Sequence, residues 1–73
     1  MQEYTVNCDW DSEANVWIAS SNDVPGLVLE SGSIDALIER VKFAVPELLE
    51  INNKEHKPLS LFFKSERREQ VFG

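Results

Sequence analysis

Apolar and polar residues alternate from the start of the chain: Tyr4, Val6, Cys8 and Trp10 are interleaved with Thr5, Asn7 and Asp9. A period of two predicts a strand with one buried face. Asp11-Ser12-Glu13-Ala14-Asn15 is a polar connection rich in turn-forming residues. Val16-Trp17-Ile18-Ala19-Ser20 then resumes strand character, which predicts a hairpin. Asn22-Asp23-Val24-Pro25-Gly26 reverses the chain again. Proline presets φ at the second turn position and glycine accepts positive φ at the third, the chemistry of a type II turn. Leu27-Val28-Leu29-Glu30 is a short third strand.

The period then changes. Ile34, Leu37, Ile38, Val41, Ala44, Val45, Leu48 and Leu49 recur at helical spacing, and Asp35, Glu39, Arg40, Lys42, Glu47 and Glu50 form the opposite face. Ser33 predicts the N-cap, because its hydroxyl accepts from free amides of the first turn, and Asp35 suits the positive helix end. Pro46 interrupts the pattern at a cost of about 3 kcal/mol, so a kink or a break is expected there. Asn52 to Pro58 reads as a polar loop. Leu59-Ser60-Leu61-Phe62-Phe63 reads as a fourth strand with Leu59, Leu61 and Phe63 on one face. The fold class predicted is α+β in the order β-β-β-α-β, a three-stranded antiparallel sheet plus a fourth strand, with one helix on one face. Residues 1–64 form the domain and residues 65–73 a short tail.

Charge sharpens this picture. The chain carries a net charge of −6, and no Lys or Arg precedes Arg40. Glu3, Asp9, Asp11, Glu13, Asp23, Glu30, Asp35 and Glu39 all fall in that stretch. This argues against direct DNA binding, which relies on cations neutralising phosphates. The acidic half either suits a basic partner or is a solvated face that keeps the chain soluble. With 73 residues the core is thin, so association with a partner or a second copy would add stability. No apolar run approaches the roughly 20 residues that span a bilayer, and no basic residue precedes an apolar run near the N-terminus. No membrane partner and a cytoplasmic location are therefore expected.

Little of the sequence carries catalytic chemistry. His56, the single histidine, lies in a polar loop with no second group to position it. Cys8 shares the apolar phase of the first strand and reads as a small core residue; being alone, it forms no internal disulfide. Asp9-Trp10-Asp11-Ser12-Glu13 begins like a calcium loop, but Ala14 and Ser20 stand where glycine and glutamate are needed. Asp9 and Glu39 could pair as carboxylates of a metal-dependent nuclease, yet Glu39 falls on the polar helix face, away from the sheet. Catalytic residues, metal ligands and cofactors are all expected to be absent.

The candidate binding residues are apolar or acidic: Trp17, Asp23, Phe62, Val71 and Phe72. Trp17 is out of phase with Val16 and Ile18. If the helix covers the Val16/Ile18 face, Trp17 lies on the open face with Ala19, Val28 and Phe62, as in a protein contact. The alternative is that it packs against the C-terminal tail of its own chain. Phe62 is likewise out of phase with Leu59, Leu61 and Phe63, with Val71 and Phe72 close behind. A homodimer that buries this patch is expected, unless the tail folds back over its own sheet.

Three segments together resemble the HicB-like antitoxin family. They are Asp11–Asn15 before Val16-Trp17-Ile18-Ala19, then Asp23-Val24-Pro25-Gly26-Leu27, then Gly32-Ser33-Ile34-Asp35-Ala36-Leu37. Pro46-Glu47-Leu48-Leu49 is similar to a short branch of uncharacterised bacterial proteins related to that family. The resemblance covers about half the chain and implies a partial ribonuclease-H-like fold. It also implies a non-catalytic module that neutralises a small basic RNA-cleaving toxin by direct binding. Family antitoxins usually add a C-terminal DNA-binding domain. About ten residues follow Phe63 here, so operator binding is not carried over. The other readings are a residual ribonuclease-H-type nuclease using Asp9, and a structural domain with an unrelated protein partner.

Overall fold

The alternation that begins at Tyr4 builds a ten-residue strand, β1 (Gln2–Asp11), in a computed structural model that describes residues 2–52 and 58–73. It is followed by β2 (Val16–Ser20), β3 (Val28–Ser31), α1 (Ile34–Ile51) and β4 (Leu59–Glu66). The sheet order is β3-β2-β1-β4. β1 with β2 and β2 with β3 pair antiparallel, whereas β4 joins β1 in parallel. A parallel neighbour requires a crossover, and α1 supplies it between β3 and β4. The α+β architecture read from the pattern is the one observed.

Local chemistry explains each reversal. Asp11 Oδ1 accepts from the amides of Glu13 and Ala14 at 3.0 and 3.3 Å, and Asn15 closes the hairpin turn at φ 56°. Asparagine tolerates that left-handed conformation better than most residues. At the second reversal the Leu27 amide donates to the Val24 carbonyl at 3.2 Å across Pro25-Gly26, with Gly26 at φ +87°. A Cβ on Gly26 would meet only Leu48 Cδ2 at 3.5 Å, an ordinary contact, so its constraint is conformational rather than steric. We expect Gly26→Val to destabilise the fold by about 1–3 kcal/mol and Gly26→Asn by less. Equal denaturation midpoints for the two variants would contradict this.

α1 starts as its sequence dictates, with Ser33 Oγ accepting from the Ala36 amide at 3.3 Å. Leu37, Val41, Val45 and Leu49, four residues apart, are its buried line. The helix does not break at Pro46 but runs unbroken to Ile51. The carbonyl that Pro46 leaves without its helical donor belongs to Lys42, on the exposed side, where water can satisfy it. The expected polar loop falls mostly on residues 53–57, which lie outside the described residues together with His56. β4 extends to Glu66 and so takes Ser65 and Glu66 from the segment expected to be tail. Register is the reason: β1 is long enough to pair Cys8 with Ser65 and Asp9 with Glu66.

The core lies between α1 and one sheet face. Tyr4, Val6, Cys8, Ala19, Val24 and Leu27 join the buried helix line, and Trp17, Leu29, Leu61 and Phe63 pack at its margin. Cys8 is a buried free thiol, as its phase predicts; burial, and then the charge of Asp9, holds its pKa above the ordinary value and keeps it protonated. The helix lies over β2 and β3, which leaves Leu59, Leu61 and Phe63 of β4 half-buried. Among the described residues no helix is long and apolar enough to cross a membrane.

Candidate protein-binding face

Register, more than local sequence, decides which side chains share a face. Cys8 pairs with Ala19 and Trp10 with Trp17, so Trp17 lies on the helix-covered face with Tyr4, Val6 and Cys8. This corrects the placement of Trp17 on the open side: the helix covers the Trp17/Ala19 face, not the Val16/Ile18 face. The Trp17 ring sits 5.4 Å from Trp10 in an edge-to-face arrangement at 62°. The Arg67 guanidinium stacks 3.8 Å from the Trp10 centroid and 5.9 Å from that of Trp17. Arg67 also donates from Nε to Glu69 Oε1 at 2.6 Å. The base of the tail is thereby pinned to the hairpin end of the sheet, a contact worth about 0.5–1 kcal/mol at an exposed site. Arg67 shares the alternating phase of Leu59, Leu61, Phe63 and Ser65, which was the available signal for this contact.

The open face carries the complementary set. Asp9 pairs with Ile18 and with Glu66, and Ile18 pairs with Glu30. One row across four strands therefore reads Glu30, Ile18, Asp9, Glu66. Neighbouring strands lie about 4.8 Å apart, so Asp9 and Glu66 stand side by side as like charges, an arrangement that costs folding energy. Among the described residues none of the three carboxylates is ion-paired. The next row reads Val28, Ser20, Asn7, Lys64, and Thr5 with Phe62 follows. Val28 is 72% exposed and Phe62 49%. Asn7, Asp9, Ser20, Lys64 and Glu66 line a shallow depression in this face.

The remaining candidates are scattered. Asp23 is occupied locally: its Oδ2 accepts from the Thr5 amide at 2.8 Å, while Ser21 Oγ donates to the Thr5 carbonyl at 2.5 Å. This bracket ties the second reversal to β1. Val71 and Phe72 are 85% and 87% exposed. The Asp9–Glu39 nuclease pair does not converge, because Asp9 is on the open sheet face and Glu39 is on the helix, where it pairs with Lys42 at 3.1 Å. Among the described residues no group of three or more His, Cys, Asp or Glu side chains is placed to hold a metal ion. The carboxylate row itself escaped sequence reading, because it exists only once three strand pairings are registered.

Comparison with known proteins gives the chain its relatives. The crystal structure of hypothetical protein TTHA1013 from the extremely thermophilic bacterium Thermus thermophilus is similar over 97% of this chain and 100% of that one, at 39% identity and a TM-score of 0.82. Among curated proteins none matches. A family model described as a domain of unknown function, DUF1902, matches residues 3–72. With nearly every residue inside that match, the chain belongs to the DUF1902 family.

Proposed function

We propose that this chain is a non-catalytic protein-binding module that resembles a HicB-type antitoxin and neutralises a small basic RNA-cleaving toxin by covering it with the open sheet face. The observation that carries this reading is the row Glu30, Ile18, Asp9, Glu66 beside exposed Val28. For an isolated domain the row is unfavourable twice over, through like charges side by side and through apolar surface left in water. A cationic partner with an apolar centre removes both penalties at once. The resemblance of the hairpin, the Pro25-Gly26 turn and the helix start to HicB-like antitoxins supports the class of partner.

The test is co-expression with a small basic protein encoded beside the gene. The expected result is a stable complex in which RNA cleavage by the basic protein is suppressed. Asp9→Lys/Glu30→Lys should release both the binding and the suppression. Suppression unchanged by that variant would contradict the face. Magnesium-dependent RNA cleavage by this chain alone, lost in Asp9→Asn, would replace the proposal with the nuclease reading.

A further inference from the structure

The two sheet edges are treated differently. β3 is four residues long, and Arg40 Nη1 donates to its Glu30 carbonyl at 2.8 Å, so a side chain already occupies that edge. β4 is eight residues long, and among the described residues no side chain hydrogen-bonds to its backbone. A long, uncapped edge strand is a template for another strand, and natural domains usually blunt it unless it is used.

A second observation concerns the residues around that edge. Among the described residues the exposed large apolar ones are Val28, Phe43, Ile51, Phe62, Val71 and Phe72. Phe62 lies on β4, Val71 and Phe72 follow it, and Ile51 ends the helix at the end of the sheet where β4 begins. The tail does not fold back to cover any of them. Arg67 on Trp10 instead directs it past the hairpin end, and the molecule measures 52 Å along its long axis against 21 and 19 Å across.

We propose that β4 pairs antiparallel with β4 of a second copy about a two-fold axis through Phe62, and that the two C-terminal arms are exchanged. This register sets Phe62 against Phe62 on the open face, and Leu61 of each copy against Phe63 of the other on the helix side. Ser60 stands opposite Lys64. Both helices then lie on one face of a continuous eight-stranded sheet, and the half-buried β4 residues of each copy gain a neighbour. The seven residues of each arm, reaching at most about 23 Å, continue past Leu59 of the other copy toward its exposed Ile51. One symmetry operation thus buries Ile51, Phe62, Val71 and Phe72, four of the six large apolar residues exposed among the described residues. Two-fold closure is the commonest arrangement for small oligomers. The two open acidic faces become one surface of twice the length.

Sedimentation equilibrium of the full chain at micromolar concentration tests this directly, and a dimer mass is expected. Under mild oxidation Phe62→Cys should give a covalent dimer, whereas Val28→Cys on the other edge should not. Ser60→Cys/Lys64→Cys, which leaves Phe62 in place, should cross-link in the same way. Cys8 is buried and takes no part. Deleting residues 69–73 should weaken the dimer by at least about tenfold. A monomer mass, or cross-linking through Val28→Cys but through neither β4 variant, would overturn the interface. A truncated chain that dimerises as tightly as the full one would overturn the arm exchange.

Discussion

Leu37→Ala is expected to lose about 2–5 kcal/mol of stability, the usual cost of a buried leucine replaced where the surroundings collapse only partly. Leu37 is fully buried on the sheet-facing side of α1, in the same core cluster as Val6, Val24, Val41 and Val45. A domain of this size holds roughly 4–11 kcal/mol in total, so much or all of the folded population is at stake. Phe43 provides the contrast on the same helix: it is 74% exposed, and Phe43→Ala should change stability by no more than about 0.5 kcal/mol. Chemical denaturation reads both. Equal losses for the two variants would mean that the helix packs through a different face.

The second large effect separates binding from stability. Asp9→Asn/Glu30→Gln/Glu66→Gln removes three carboxylates from one row of the open face. Folding should be unharmed or slightly improved, by a few tenths of a kcal/mol for each relieved like-charge neighbour. Affinity for a basic partner should fall by up to roughly a hundredfold, at up to about 1 kcal/mol for each exposed charge. A loss of stability in this variant would show that the row serves the fold rather than a partner. The interaction should also weaken as salt is raised, since exposed charges are screened.

Much of the fold was legible because its signals are local. Period two in β1, the Pro25-Gly26 reversal and the Ser33 cap each follow from a few neighbouring residues. The segments that resemble the antitoxin family are these same elements: a hairpin turn, a type II turn and a helix start. They build the scaffold, and the side chains of the carboxylate row lie largely outside them. Trp17 was misplaced because β2 is apolar on both faces, with Val16 and Ile18 on one and Trp17 and Ala19 on the other. Only pairing with β1, whose buried phase is unambiguous, decides which set meets the helix. Val24 looked like a turn residue and is fully buried, since the turn itself closes over the end of the core. Glu66 looked like tail until the length of β1 brought it beside Asp9. The candidate site was illegible for the same reason: each of its acids comes from a different strand.

The central claim is that a basic partner sits on the open sheet face, and amide chemical-shift mapping of the labelled chain tests it most directly. On addition of the basic protein captured in co-expression, shifts and broadening should concentrate at Asn7, Asp9, Ile18, Ser20, Glu30 and Glu66. The outer helix face, at Glu39, Phe43 and Glu47, should stay unchanged. Perturbation confined to that helix face, with the carboxylate row silent, would contradict the account.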